Sequence, residues 1–176
     1  MQQALNPYQP TGFIHYIKQD YIANKGNTTG AIIMILFRTA AYCHGRRYLK
    51  ILCWPYLFFY KHFTRMFFSL ELPCTINIGP GLRIYHGIGL IVHEAVVIGK
   101  HCVLRQSTTI GNAKAGGGSP HIGDYVEVGC NVCIIGDVYV GNEVVIGAGS
   151  VIVKDIPSGV VVAGNPGRII KTIKTL

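Results

Sequence analysis

Six aliphatic residues, Ile122, Val128, Ile134, Val140, Ile146 and Ile152, recur at intervals of six without a break. Four places after each stands another small or apolar residue: Val126, Val132, Val138, Val144, Ser150 and Ile156. A period of six fits neither the 3.6-residue repeat of an amphipathic helix nor the alternation of a half-buried strand. Glycine follows the leading aliphatic at Gly123, Gly129, Gly141 and Gly147. These features predict a triangular coil in which each hexapeptide forms one short flat face, the aliphatic points inward and the next residue turns the corner. Three hexapeptides close a coil, and stacked coils bury one another's faces, as in other solenoids.

Upstream the register loosens. Ile78, Ile84 and Leu90 hold one phase, and Ile98, Leu104 and Ile110 another, with eight residues between Leu90 and Ile98. A break in an otherwise regular pattern is where a site is expected, and His86 lies beside it. A second departure is Asn112 to Pro120, where Ala-Lys-Ala-Gly-Gly-Gly-Ser cannot fill an interior and is expected to leave the coil as a mobile loop. Residues 164–171, Gly-Asn-Pro-Gly-Arg-Ile-Ile-Lys, are expected to close the stack. The organisation predicted is a helical segment over 1–72, a β-helix over 73–163 with a loop extruded near 112–120, and a C-terminal cap over 164–176.

From Thr11 to Leu70 the pattern is helical: Ile14, Ile17, Tyr21 and Ile22 are spaced to share a helix face, and a second run covers Ala31 to Cys43. A third covers Tyr48 to Leu70, with Pro55 as a kink or restart. Uncharged stretches here are shorter than the roughly 20 apolar residues that span a bilayer. The third run nevertheless mixes Trp54, Tyr56, Phe58, Phe59, Tyr60, Phe63, Phe67 and Phe68 with Lys50, Lys61 and Arg65, the composition of an interfacial helix. It is read either as packing on the β-helix or a neighbouring subunit, or as peripheral contact with the inner membrane face.

The net charge of +8 is concentrated there, since residues 1–72 carry eight Lys/Arg against Asp20 and Glu71. No nucleic-acid-binding motif accompanies the charge, so nucleic acid is not an expected partner. Six scattered cysteines and a start, Met1-Gln2-Gln3, unlike a signal peptide fit a cytoplasmic protein. Cys130 and Cys133 form a C-x-x-C, but no second pair supports zinc and the repeat assigns them to different faces, so no metal is expected.

With the repeat in view, the chain resembles the hexapeptide-repeat acyltransferases, and among them the serine acetyltransferases and their relatives of capsule and exopolysaccharide modification. The likeness is carried by Glu71-Leu72-Pro73, Gly81-Leu82-Arg83-Ile84-Tyr85-His86-Gly87 and Arg105-Gln106-Ser107-Thr108-Thr109-Ile110-Gly111. It implies a left-handed parallel β-helix and an acetyl-CoA-dependent O-acetyltransferase. In serine acetyltransferases the histidine matching His86 is the general base, and a carboxylate fifteen residues earlier, here Glu71, orients it. A neutral imidazole suits the task because a hydroxyl is a weak nucleophile at neutral pH, and such help contributes about 10²–10⁴-fold. Glu71 would fix the tautomer and stabilise the imidazolium. Direct transfer in a ternary complex follows, because no cysteine or serine is placed beside His86 for a covalent intermediate.

The likeness fails where serine would bind. Serine acetyltransferases carry an aspartate just before the base and an arginine-histidine pair at the loop's end, whereas here Tyr85 and Gly118-Ser119 stand, with His121 two places later. Tyr85, Ser119 and His121 are the candidate acceptor-binding residues. A sugar hydroxyl needs fewer charged partners than a zwitterionic amino acid, so O-acetylation of a capsule, exopolysaccharide or O-antigen, or of a precursor, is the expected function, with serine O-acetyltransferase the alternative. The pattern from Gly147 to Pro157 and from Asn165 to Lys171 is similar to galactoside acetyltransferases. That similarity implies a CoA groove between adjacent subunits, lined here by Gly111, Asn112, Cys130, Ala148, Val153, Lys154, Arg168 and Lys171. A homotrimer with three sites is implied, a hexamer requiring more helical contact. A γ-type carbonic anhydrase shares the fold, and His86 and His121 would supply two ligands. Gly116 and Val126 stand where the third should be. His44, His62, His93 and His101 are read as surface or packing residues.

Overall fold

The computed structural model describes residues 12–173, so Thr11, the first residues of the helical segment and the last three of the cap lie outside it. From residue 77 onward the chain forms the parallel β-helix that the repeat predicts, with three faces of short strands. Face 1 holds β1 (Asn77–Ile78), β4 (Val97–Ile98), β7 (His121–Ile122) and β10 (Tyr139–Val140). Face 2 holds β2 (Arg83–Ile84), β5 (Val103–Leu104), β8 (Glu127–Val128), β11 (Val145–Ile146) and β13 (Val160–Ala163). Face 3 holds β3 (Ile91–Val92), β6 (Thr109–Gly111), β9 (Cys133–Ile135) and β12 (Val151–Ile152). The final strand β14 (Arg168–Thr172) turns back antiparallel on β13 and ends the stack.

Two inward positions per hexapeptide build the core. The leading aliphatics are buried, and so are the residues two places before them, including Leu90, Val96, Cys102, Val126, Val132, Val138 and Val144. This double occupancy relocates the break in phase. The leading residue of face 3 is Val92, which pairs with Ile110, while Leu90 takes the second inward position. The two extra residues therefore lie between Ile84 and Val92, around His86, rather than between Leu90 and Ile98. A compensating shortening follows β12, since Ile156 bridges to Val140 on face 1 and is a leading residue, not the second one.

The corners also differ from expectation. Residues with positive φ stand three places after the leading aliphatic, at Gly81, His101, Tyr125 and Glu143 between faces 1 and 2, and at Ser107, Asn131 and Gly149 between faces 2 and 3. The glycine directly after the aliphatic does not turn the chain. It lets coils approach: a Cβ on Gly99 would lie 2.6 Å from the carbonyl carbon of Gly123, and one on Gly79 would lie 2.7 Å from that of Gly99. A column of glycines is the steric consequence of stacking backbone directly on backbone.

Four helices cover the first coil: α1 (Phe13–Lys18), α2 (Thr28–His44), α3 (Arg47–Leu52) and α4 (Trp54–Phe68). The face expected from Ile14, Ile17, Tyr21 and Ile22 does not form, because α1 ends at Lys18 and buries Tyr16 while Ile14, Tyr21 and Ile22 are exposed. The third run is two helices, with Pro55 in the first turn of the second, where its missing N–H costs nothing. The strand edge left open by the first coil is closed by polar groups from this segment. Arg38 donates to the carbonyls of Ile78 and Gly79, and Asp20 accepts from the N–H groups of Gly81 and Leu82. Asn24 donates to Leu82 and accepts from Ile84, and Asn27 donates to Ile84. An unpaired edge is thus converted into a satisfied one by side chains that mimic the missing strand. No helix among the described residues is long and apolar enough to cross a membrane.

Candidate active site

The insertion between β2 and β3 raises residues 85–89 out of the corner between faces 2 and 3. Gly89, with φ +68°, is the regular turning residue, and His86 at φ +64° and Gly87 at φ +70° add two further left-handed residues. A non-glycine residue there is held by its surroundings. The N–H of Gly89 donates to the Phe68 carbonyl, that of Gly87 to Tyr85, and the Ile88 carbonyl accepts from Ser107. Gly87 sits under α2 so closely that a Cβ would collide with the Cδ1 of Ile33. The corner is therefore fixed on both sides while the His86 side chain is exposed. Its imidazole makes no hydrogen bond among the described residues, its one ring neighbour being Tyr85 at 6.5 Å.

Glu71 lies over β3, its N–H bonded to Leu90 and its carbonyl to Val92, so the chain positions it at the open end of face 3. Its carboxylate meets the Arg65 guanidinium at 3.0 Å, and no hydrogen bond joins it to His86. A cavity of about 520 Å³ opens here, lined by residues that include Trp54, Phe58, Lys61, Arg65, Glu71 and Glu94.

Most of the remaining predicted residues fall on the two edges of face 3. Cys130 and Ala148 stand on the same edge as Tyr85 and His86, at successive corners between faces 2 and 3. Gly111, Asn112, Val153 and Lys154 stand on the opposite edge, between faces 3 and 1. Asn112 closes the base of the extruded loop through a bond to the Lys114 carbonyl. Ser119 is on this second edge and its Oγ lies 3.2 Å from Nδ1 of His93, which the sequence left without a partner. Gly111 completes that cluster, since a Cβ on it would touch the Cβ of His93 at 3.3 Å. His121 is on neither edge: it begins β7 on face 1 and stacks on Tyr139 with ring centroids 5.3 Å apart. Arg168 and Lys171 are exposed on β14. Within one chain, then, Tyr85 accompanies His86, whereas Ser119 and His121 do not.

Sequence reasoning overlooked two guanidinium groups. Arg83 and Arg105 place their guanidiniums over the ring of Tyr85 at 4.4 and 4.6 Å from its centroid. Their spacing, one coil apart, could have been read once the two-residue insertion was located. Cys102 is pushed up to about 11 by burial, Cys43 likewise to about 11, and Cys74 is raised for the same reason, so these remain thiols. No group of three His, Cys, Asp or Glu among the described residues is arranged to hold a metal.

Comparison with known proteins adds the following. Residues 119–154 match the model of the bacterial transferase hexapeptide family (six repeats). The chain is 35% identical over 161 residues to a protein of Escherichia coli (strain K12) assigned to colanic acid biosynthesis as acetyltransferase WcaB, covering 89% of this chain and 99% of that one. It is 34% identical over 112 residues to the serine acetyltransferase of Synechococcus elongatus, covering 62% of this chain and 46% of that one. Among solved structures it superposes on serine acetyltransferase from Brucella abortus strain S19 with a TM-score of 0.79 at 24% identity, over 92% of this chain and 70% of that one. A likeness at that identity is one of fold.

Proposed function

The chain belongs to the hexapeptide-repeat transferases, and we propose that it moves the acetyl group of acetyl-CoA to a hydroxyl of a sugar in a surface polysaccharide or its precursor, with His86 as general base. That it is an acetyltransferase follows from its relatives. The choice of a sugar rests on one observation, the likeness to the colanic acid protein over 99% of that protein's length. Tyr85, in place of the aspartate that the resemblance would require for serine, agrees with it.

Chemically, the exposed imidazole of His86 accepts the acceptor's hydroxyl proton as the oxygen attacks the thioester carbonyl carbon. The tetrahedral intermediate collapses by expelling the CoA sulfur, which takes the proton from the imidazolium. An O-acetyl sugar and free CoA result. Glu71 is proposed to orient His86, which requires its carboxylate to leave Arg65. With the two side chains 44% and 53% exposed, that ion pair is worth at most about 1 kcal/mol and does not forbid the exchange.

The donor groove is proposed to lie between neighbouring β-helices of a homotrimer. Gly111, Asn112, Cys130, Ala148, Val153 and Lys154 occupy both edges of face 3, and a groove using both edges closes when one edge of a subunit meets the other edge of the next. Peripheral contact with the cytoplasmic face of the inner membrane is proposed through α3 and α4. There Tyr48, Ile51, Leu52, Trp54, Phe58 and Met66 are exposed among Arg47, Lys50 and Lys61, with no acid in either helix.

The test is CoA release by wild type and His86→Ala against a panel of glycans and L-serine. Loss of about 10²–10⁴-fold in kcat with acetyl-CoA affinity retained is expected. Undiminished turnover would refute the base assignment. Efficient turnover of serine would select the second reading, serine O-acetylation, which the match to the Synechococcus enzyme favours.

A further inference from the structure

The residue before the proposed base is held in an unusual electrostatic setting. Arg83 and Tyr85 stand two places apart on face 2, so both side chains point outward. The Tyr85 N–H bonds to the Leu104 carbonyl at 2.9 Å, which sets Arg105 beside Tyr85 in the next coil. Two guanidiniums consequently lie over the aromatic ring, at 4.4 and 4.6 Å from its centroid. All three side chains are half-buried. The ion pairs found among the described residues are Arg38 with Asp20 and Arg65 with Glu71, so neither Arg83 nor Arg105 meets a carboxylate. Arg83 also keeps its Nε buried with no hydrogen-bond partner.

Two like charges held together, half out of water and unneutralised, repel each other, and a buried donor without a partner is costly. Both penalties are relieved by an anion that accepts from the planar guanidinium forks. We propose that Arg83 and Arg105 form an anion subsite beside His86, and that the acceptor glycan therefore carries a carboxylate or phosphate near the hydroxyl to be acetylated. This inference rests on the reading of His86 as the base of a sugar acetyltransferase and narrows its acceptor class. The anion is not the donor's. The thioester must reach His86, and the whole pantetheine arm separates it from the CoA phosphates.

The experiment measures binding to the full-length protein, without turnover, of three matched probes: methyl glucoside, methyl glucuronoside and glucose 6-phosphate. Charge-assisted hydrogen bonds of this kind correspond to about 10- to 100-fold in affinity. One or both anionic probes should bind at least tenfold more tightly than the neutral one, the difference shrinking as salt rises. The uronate and phosphate arms tell which anion is preferred. Arg83→Gln and Arg105→Gln should abolish the preference, while Arg83→Lys, which keeps the charge and loses the fork, should restore part of it. Failure of both anions to outbind the glucoside on wild type overturns the proposal without recourse to a variant. So does a raised KM for acetyl-CoA in Arg83→Gln, which would assign the cations to the donor. Turnover of anionic glycans unaffected by these substitutions would overturn the anion subsite and leave the transferase reading standing.

Discussion

Replacing Arg38 by Met separates the helical cap from the β-helix in a measurable way. Arg38 is fully buried, with Nε at 2.7 Å from Asp20, and it also donates to the carbonyls of Ile78 and Gly79 at 3.0 and 2.7 Å. Methionine fills much of the volume but leaves Asp20, 1% exposed, as a buried carboxylate supported by the N–H groups of Gly81 and Leu82 alone. Removing one partner of a buried pair costs about 3–5 kcal/mol. The two orphaned carbonyls add a further about 1 kcal/mol or more, though such terms do not sum independently. A total near 4 kcal/mol corresponds to about a thousandfold.

Hydrogen exchange resolves where that loss falls. Amides of α2 should exchange at least about a hundredfold faster in Arg38→Met, while those of β8 to β12, which rest on stacked coils remote from the cap, should keep their protection. A double variant, Asp20→Leu with Arg38→Met, should recover part of the loss because no charge is left buried. Because Ile33 of α2 rests on Gly87, loosening the cap should lower kcat for acetyl transfer more than it weakens acetyl-CoA binding. Exchange of α2 altered by less than tenfold would refute the reasoning, and equal loss of protection throughout would show that the cap is not a separable unit.

Two further outcomes are expected. Gly99→Ala drives a Cβ to 2.5 Å from the carbonyl oxygen of Gly123 and should cost about 3 kcal/mol or more, lowering Tm by about 6–12 °C, whereas Gly12→Ala, which meets open space, should leave Tm unchanged. Trp54 is the chain's single tryptophan and 65% exposed, so its emission should move to shorter wavelength with phosphatidylglycerol vesicles and not with phosphatidylcholine vesicles. A shift that depends on protein concentration alone would assign the face to contact between copies.

The β-helix was legible because its period is enforced by stacking: a leading aliphatic displaced by one place would point its side chain at solvent. The insertion was misplaced for a specific reason. Counting six from Ile84 reaches Leu90, which is buried like a leading residue, and sequence does not distinguish the two inward positions of a hexapeptide. His86 could be singled out because an isolated break in a strict pattern is visible, whereas the Arg83–Tyr85–Arg105 cluster depends on a coil lengthened to twenty residues between paired positions. Nor could the cap be read. Asp20 and Arg38 look like surface charges until the strand edge they satisfy, at residues 78–82, is known.

These parts are mechanically one. The same two extra residues that lift His86 from the corner also lengthen the first coil, so that Arg105 falls beside Tyr85. A raised corner left alone would expose the apolar edge of the first coil, and the helical segment prevents this by pressing Ile33 on Gly87 and accepting the Gly89 N–H at Phe68. The helices are therefore as much a support for the proposed base as a lid on the solenoid. The residues proposed for the donor obey a different constraint. Apart from Arg168 and Lys171 on β14 they lie on both edges of face 3, so the groove proposed for them is made by apposing two β-helices. On this proposal, chemistry at the irregular corner and donor binding along face 3 can be altered separately, the first by residues 83–89 and the cap, the second by the repeats that follow.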